Sequence, residues 1–201
     1  MKIRLAVGFV VAVLFGCSGK NSNDGSQTGS ATLTGTIKSE PFAPSDAISV
    51  NVALSTPPGN GGAVTITSQA GLCGRISGGQ DSKSVQYLIL VMGDFNATTG
   101  MSAAPTAAGT YTIYSPGSTS RPPRFAGAVY SRTDANCNVV ITSNATATSG
   151  TVTITSVNGD IYSGNFDLIL NFQDHITGTF TTGHCAALAG VFNLTAQLQC
   201  R

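Results

Sequence analysis

The chain has 201 residues, of which 41% are hydrophobic and only 9% are charged, with a formal net charge of +1. An apolar composition of this kind is not typical of disordered proteins. The chain also carries too few cations to coat the phosphate backbone of nucleic acid. The length suits one domain with a sizeable core. We therefore expect one folded domain that does not bind nucleic acid.

The N-terminus has the parts of an export signal. Lys2 and Arg4 form a short basic region, and residues 5–15 follow as an uncharged apolar run that is too short to span a bilayer stably. Residues 14–17 read Leu-Phe-Gly-Cys, which resembles the cleavage site of bacterial lipoproteins. The resemblance implies that a signal peptide, residues 1–16, is removed and that Cys17 becomes the lipid-modified first residue. The alternative is an ordinary signal peptide cut nearby, which would leave Cys17 as a free thiol.

The next segment, residues 17–30, is predicted to be a lipidated flexible tether. After Cys17 it contains no apolar side chain, so nothing offsets the entropy of ordering it, and as a random coil it spans roughly 20 Å. Acyl chains on Cys17 would make the membrane a partner through lipid. Ser18 stands where lipoproteins retained at the inner membrane carry aspartate, so by that analogy we expect a location in the cell envelope, at the outer membrane.

Residues 31–201 are predicted to form a single all-β domain. Apolar and polar residues alternate along short runs, as in residues 46–56, and Gly, Pro, Asn and Asp interrupt them. Similar runs occur at 33–37, 64–66, 111–113, 125–129 and 139–141. About ten strands result, which predicts an antiparallel two-layer β-sandwich, with a closed β-barrel as the alternative.

Three segments have more specific patterns. Residues 85–92 are apolar on both faces, which predicts a central strand. Residues 151–182 alternate regularly around turn signals at Asn158-Gly159 and Gln173-Asp174, which predicts a three-stranded antiparallel meander. A last run at 192–198 predicts a strand that closes the sheet beside the strand at the start of the domain.

Four cysteines remain besides Cys17: Cys73, Cys137, Cys185 and Cys200. An even number in an exported protein predicts disulfides, and three pairings are open. We favour Cys185 with Cys200, which closes a short loop, and Cys73 with Cys137 then follows. No two cysteines have the C-x-x-C spacing of a zinc site, so we predict no metal.

Nothing in the sequence indicates catalysis strongly. His175 and His184 are the two histidines, and Asp160 and Asp174 lie in turns near them. These residue types bind zinc or exchange protons elsewhere, but Asp and His are also common in turns because they form local hydrogen bonds. We interpret them as surface turn residues. The Gly-x-Ser-x-Gly motif is absent, and we expect neither an enzyme nor a cofactor.

Loops on a rigid β domain are the predicted places for recognition. Three polar loops, at 55–63, 94–108 and 115–124, have this composition. The third contains Arg121 and Arg124 on either side of two prolines, and these guanidinium groups are of the type that binds an anionic glycan or a carboxylate. The simpler interpretation is a turn with two solvated charges.

The C-terminal half resembles a known group of proteins. Residues 149–155 (Ser-Gly-Thr-Val-Thr-Ile-Thr), 164–168 (Gly-Asn-Phe-Asp-Leu) and 174–180 (Asp-His-Ile-Thr-Gly-Thr-Phe), followed by Cys185, are similar to a pattern in small uncharacterised lipoproteins of myxobacteria and related δ-proteobacteria. In that group a phrase like Gly-Thr-Tyr-Thr-Ile, here at 109–113, precedes the pattern. The resemblance implies a lipoprotein and no particular activity.

Two functional hypotheses remain. The first is a membrane-anchored structural or binding module of the cell envelope, which contacts a protein, a glycan or an envelope polymer. The second is a closed barrel that carries a small apolar ligand. An apolar cavity of several hundred Å³ would favour the carrier, and a packed interior would favour the binding module.

Overall fold

The computed structural model of the chain describes residues 28–114 and 120–200. Cys17, the predicted signal peptide and most of the predicted tether lie outside these ranges. Within them the protein is predominantly β, as predicted. The strands are β1 (Ser30–Thr34), β2 (Thr36–Ile37), β3 (Glu40–Pro41), β4 (Asp46–Ser55), β5 (Pro58–Thr67), β6 (Gln80–Asp81), β7 (Gln86–Asn96), β8 (Met101–Ala103), β9 (Gly109–Ile113), β10 (Arg124–Arg132), β11 (Ala145–Asn158), β12 (Ile161–Leu170), β13 (His175–Thr181), β14 (Gly183–His184) and β15 (Gln199–Cys200). The helices are α1 (Leu72–Ser77) and α2 (Ala186–Phe192), and neither is long and apolar enough to cross a membrane; the same holds for every helix of the described ranges.

Eleven of these strands form one curled sheet in the order β1-β13-β12-β11-β9-β10-β7-β8-β5-β4-β14. The sheet is a half-barrel, so the prediction of a two-layer sandwich is wrong, and the closed barrel is not formed either. The physical reason lies in the last strands. β13 pairs near one edge of the sheet, and β14, which begins two residues after β13 ends, pairs with β4 at the other edge. The chain thus draws the two edges of one sheet toward each other instead of stacking two separate sheets.

Irregular pairing in β11 adds to this curl. Its register against β12 shifts between Ala147 and Ser149 and again between Ile154 and Ser156. An extra residue in one strand of a pair bends that strand and increases its twist. Gly150 follows the first shift with φ +118°, and a Cβ atom there would lie 2.1 Å from the Asp167 carbonyl oxygen, so only glycine fits.

The predicted three-stranded meander is confirmed. β11, β12 and β13 are antiparallel neighbours, and Gly159, with φ +65°, lies in the two-residue turn between the first two. On the inner face, Phe166 lies directly opposite Gly178, and Phe180 lies directly opposite Gly164. Each ring therefore covers a strand position that has no side chain of its own, which is a known way to stabilise glycine in a sheet.

The predicted central strand is also confirmed. β7 pairs with β10 on one side and with β5 and β8 on the other. Leu88 and Leu90 are fully buried inside the curl, whereas Tyr87 and Val91 pack on the outer side. Because both faces of β7 are covered, its sequence is apolar on both faces.

Two apolar clusters account for this burial. The inner cluster fills the space inside the curl and includes the fully buried rings of Tyr111, Tyr130, Tyr162 and Phe166. The outer cluster joins β4 to α1 and α2, which lie over the outer face of that half of the sheet. The sheet therefore has one half that is covered on both faces and another half, β1-β13-β12-β11-β9, whose outer face no helix of the described chain covers.

Three local predictions are wrong. Residues 192–198 do not form a strand beside β1: the alanine-rich segment before them forms α2, and the N–H groups of Thr195 and Ala196 both donate to the Gly190 carbonyl at its end. Residues 139–141 form only one bridge, Val139 to Thr133, followed by a 3-10 turn at Ile141–Ser143. Most of the predicted loop at 55–63 is strand, because β4 and β5 pair up to Ser55 and Pro58.

The four cysteines of the domain form two disulfides, as predicted, but the favoured pairing is wrong. Cys73 pairs with Cys185 and Cys137 pairs with Cys200. Cys73 lies in α1 and Cys185 immediately precedes α2, so the first bond joins the two helices within the outer cluster. Cys200 lies in β15, which pairs with β6 and not with any part of the large sheet. Closeness along the chain favoured Cys185 with Cys200, but the docking of α2 on α1 turns Cys185 away from the C-terminal segment.

A buried carboxylate organises the start of the described chain. Asp46 is 1% exposed, and its two oxygens accept hydrogen bonds from the backbone N–H groups of Gly29, Ala47, Gly71 and Leu72. Two of these donors belong to the first turn of α1, where backbone N–H groups have no partner within the helix. Asp46 therefore ties β4 both to α1 and to the segment that precedes β1.

The buried tyrosines make the fold sensitive to alkaline pH. Burial, followed by the negative charges of Asp160 and Asp94, raises the pKa of Tyr162 to about 12, and the Tyr162 hydroxyl donates to Asn51 at 2.7 Å. Because the folded pKa lies above the unfolded value of about 10, the contribution of this group to stability is complete below pH 10 and is lost as pH rises through 12. Tyr162→Phe should remove part of the loss of stability measured by urea unfolding between these two pH values. An identical loss in both proteins would contradict the assignment.

Candidate functional site

The uncovered outer face of β1, β13, β12, β11 and β9 carries mainly hydroxyl groups, with Ile161 and Ile169 near the two ends of β12. We call it the hydroxyl face. Its members point outward because they alternate with the buried residues of the inner cluster. They are Ser30, Thr32, Thr34, Thr110, Thr112, Thr151, Thr153, Thr155, Ser163, Asn165, Asp167, Thr177, Thr179 and Thr181.

The strand register arranges these side chains in rows. One row runs across all five strands as Thr32, Thr179, Asn165, Thr153 and Thr110. Neighbouring strands are about 4.8 Å apart and alternate residues of one strand are about 6.7 Å apart, so the hydroxyl groups form a regular two-dimensional array. β-branched side chains have few rotamers, and threonine oxygens on strands therefore have well-defined positions.

Two hydroxyl pairs bridge adjacent strands of this face. The Oγ1 atoms of Thr32 and Thr179 lie 2.8 Å apart, and those of Thr110 and Thr153 lie 3.2 Å apart. Each hydroxyl group can donate one hydrogen bond and accept two, so a pair that shares one hydrogen bond keeps further capacity for a ligand. The two pairs are chemically alike but lie at opposite sides of the face.

A depression of about 240 Å³ lies at the β1 side of the hydroxyl face. Six Ser and Thr side chains line it together with Ala31, Gly164 and Phe180; the six are Ser30, Thr32, Thr155, Ser163, Thr179 and Thr181. None of the nine lining residues has an ionisable side chain. The arrangement offers a ligand hydroxyl groups and strand backbone, but no charge.

Charged groups lie at one end of the hydroxyl face, on β12 and β13. His175 begins β13, and its Nε2 atom lies 2.8 Å from Oδ1 of Asp167 on β12. Both side chains are more than half exposed. Asp174, in the preceding turn, accepts a hydrogen bond from the Lys38 N–H through its own carboxylate. The His175 side chain therefore forms a surface hydrogen bond with a residue of the neighbouring strand and not with the turn residue next to it.

The second histidine belongs to a different part of the sheet. His184 ends β14, and its Nδ1 atom lies 2.8 and 2.9 Å from the two carboxylate oxygens of Asp160. Asp160 lies in the turn between β11 and β12, and its carbonyl oxygen accepts a hydrogen bond from the buried Ser49 hydroxyl. This contact links the meander to β4. Within the described ranges, no group of three His, Cys, Asp or Glu side chains could hold a metal ion.

The two arginines of the predicted contact loop both contact aromatic rings. The guanidinium carbon of Arg121 lies 4.9 Å from the centre of the Tyr114 ring, 5.1 Å from that of Phe95 and 5.7 Å from that of Phe125. A cation over aromatic rings is stabilised by their negative faces. Residues 115–119 of this loop lie outside the described ranges. Binding of an anionic partner by Arg121 stays a prediction, and these contacts give that side chain a structural role as well.

Arg124 also has partners within the protein. Its Nε atom lies 3.5 Å from Oδ1 of Asp94, its guanidinium group contacts the Tyr111 ring, and it donates to the Ala108 carbonyl. These contacts tie the start of β10 to the predicted loop at 94–108. That segment itself is partly strand, since β7 extends to Asn96 and β8 follows.

The interior of the half-barrel is filled by side chains. Tyr111, Tyr130, Tyr162 and Phe166 of the inner cluster are among the largest fully buried side chains. A second depression of about 140 Å³, between β2 and the 3-10 turn, is lined mainly by polar residues. The described residues supply no observation that favours the apolar-ligand carrier.

Sequence reasoning identified these strands but did not identify the hydroxyl face. The available signal was the repeated phrase Thr-x-Thr, which occurs at 32–34, 110–112, 151–155 and 177–181. Each repeat alone looks like the polar side of an ordinary strand. Only the pairing of β1 with β13 and of β9 with β11 places the repeats side by side.

Comparison with known proteins found no matching family model, no matching curated protein and no matching solved structure. The function is therefore inferred from the residues of this chain.

Proposed function

We propose that this protein is a membrane-anchored bacterial lipoprotein of the outer membrane, and that its β domain is a binding module of the cell envelope with no enzymatic activity. The carrying observation is the pairing of the cysteines. Four of the five cysteines form two disulfides within the domain, and Cys17 is the fifth. Two disulfides fit an oxidising compartment, and Cys17 ends the segment that resembles a lipoprotein cleavage site.

The binding role is supported by the uneven cover of the sheet. α1 and α2 lie over one half, whereas the hydroxyl face on the other half lies open to solvent or to a partner. A rigid sheet that presents an ordered array of donors and acceptors binds a partner at a low entropic cost. The partners in this proposal are the membrane, through lipid, and a glycan or protein of the envelope.

The anchor can be tested by the mass of the full-length protein, isolated under non-reducing conditions from the membrane fraction of a bacterial host. We expect the mass of residues 17–201 plus acyl chains and minus four hydrogen atoms, because the two disulfides remove four. Cys17→Ala should abolish acylation and release the protein from the membrane fraction, since two or more acyl chains are needed for stable anchoring.

Ser18→Ala is the matched control, because it changes the neighbouring residue and keeps the thiol; it should be acylated as in the natural protein. A mature chain without lipid, or one in which Cys17 forms a disulfide, would overturn the proposal.

A further inference from the structure

We propose that the depression on the hydroxyl face binds one sugar ring of an uncharged glycan chain in the envelope layer next to the anchor. The inference rests on the proposed function, which places the domain beside the membrane. It adds the class of ligand and the residues that would recognise it.

The chemistry of the lining favours a neutral, hydroxyl-rich ligand. The six Ser and Thr side chains each donate and accept, as do the hydroxyl groups of a sugar. No lining residue carries a charge, so a charged ligand would lose hydration there without a counter-charge. The side chains of Ala31 and Phe180 pack toward the inner cluster, so these two residues and Gly164 present mainly strand backbone to the depression.

The size of the depression favours a single ring. Its volume of about 240 Å³ lies below the roughly 300–1,000 Å³ of sites for drug-sized ligands. Thr110 and Thr153 lie on the same face but outside the lining of the depression. A glycan chain can therefore place one ring in the depression while its other rings stay outside it.

The depression lies close in sequence to the proposed anchor. Ser30 begins β1 and lines the depression, and residues 18–29 separate it from Cys17. The tether predicted for residues 17–30, most of which lies outside the described ranges, would span roughly 20 Å as a random coil. The anchor would thus hold the depression close to the layer of sugars that covers an outer membrane.

The geometry also preorganises the site. Thr32 and Thr179 line the depression and their Oγ1 atoms are 2.8 Å apart, which fixes the positions of both oxygens before a ligand binds. Thr110 and Thr153 form a similar pair on the same face but do not line the depression. The protein thus contains its own matched control.

The test is calorimetric titration of the mature, acylated protein in micelles of a polyoxyethylene detergent, which has no sugar headgroup. The probes are cellohexaose, maltohexaose and mannohexaose, with the galacturonic acid hexamer as the anionic comparison. We expect at least one neutral hexasaccharide to bind with Kd below about 1 mM and the anionic hexamer to bind at least about tenfold more weakly. Absence of binding by all three neutral probes, or equal binding of the anionic one, would overturn the inference.

The variants locate the site. Replacing Thr32 and Thr179 together by Val keeps shape and strand preference but removes two hydroxyl groups, and it should weaken binding at least about tenfold. The Thr110→Val, Thr153→Val pair should change it less than about twofold. Thr32→Ser with Thr179→Ser keeps both hydroxyl groups and should retain binding. If the Thr32→Val, Thr179→Val protein has a lower thermal midpoint, Thr181→Val takes its place, because it is a single exposed change in the lining. Equal weakening of binding by the depression variants and the control variants would overturn the site.

Failure of this inference is distinguishable from failure of the proposed function. Acylated, membrane-bound protein that binds no neutral glycan would retain the anchor and refute the ligand. Glycan binding by a protein that carries no lipid would refute the anchor and retain the ligand.

Discussion

Replacing both Cys73 and Cys185 with alanine is expected to lower the free energy of unfolding by about 5 kcal/mol, the largest effect that we predict for this protein. The bond joins residues 112 positions apart, and cross-linking so long a loop restricts the unfolded chain strongly. Both cysteines are also buried, at 7% and 1% exposed, within the cluster under α1 and α2. A domain with a typical stability of about 5–15 kcal/mol would lose a large part of it.

The Cys137→Ala, Cys200→Ala variant is the matched control. This pair closes a loop of 63 residues, for which the same dependence of unfolded-chain entropy on loop length gives about 4 kcal/mol. Cys200 is exposed and lies in a two-residue strand away from the large sheet, so losing its bond leaves no buried cavity. Urea unfolding monitored by circular dichroism measures both variants. A smaller loss of stability in the Cys73, Cys185 variant than in the Cys137, Cys200 variant would contradict the burial of the first disulfide in the outer cluster.

Asp46→Ala should cost about 3–5 kcal/mol of stability because it leaves two buried and two partly buried backbone donors without an acceptor. The Asp46 carboxylate accepts from the N–H groups of Gly29, Ala47, Gly71 and Leu72 at 2.9 to 3.2 Å. An unpaired buried donor costs about 1–3 kcal/mol. Hydrogen exchange should quicken first at Gly71 and Leu72, since these donors begin α1 and have no partner inside the helix.

Two further variants test this role of Asp46. Asp46→Asn keeps one acceptor oxygen and should lose less stability than Asp46→Ala. Asp134→Ala also removes a carboxylate that accepts backbone N–H groups, those of Asn136 and Asn138, but in an exposed turn where water replaces the lost acceptor. Its effect should therefore be smaller. Equal losses in Asp46→Ala and Asp134→Ala would mean that burial of the Asp46 carboxylate does not matter to the fold.

Local patterns predicted the elements whose structure depends on residues close in sequence. The meander was predicted because alternation with a period of two and a glycine turn act over a few residues, and β11, β12 and β13 follow one another directly. β7 was predicted as central because its apolar residues on both faces record burial on both faces. The short helices were missed because six or seven residues show little helical periodicity.

The same distinction explains the candidate site. Threonines at alternate positions mark the solvent side of single strands, and that much is visible in the sequence. The array exists only because strands distant in sequence pair with each other: Thr32 meets Thr179, 147 residues later. Likewise the number of cysteines predicted two disulfides, but which cysteines pair depends on where α1 and α2 dock.

Residue periodicity, the apolar N-terminal run and the cysteine count thus decided the β class and the prediction of an exported, anchored protein. The tertiary structure decided the half-barrel, the disulfide partners and the depression on the hydroxyl face. The physical reason is that side-chain alternation acts between neighbours in sequence, whereas curl, helix docking and strand order depend on the total free energy of contacts between distant residues.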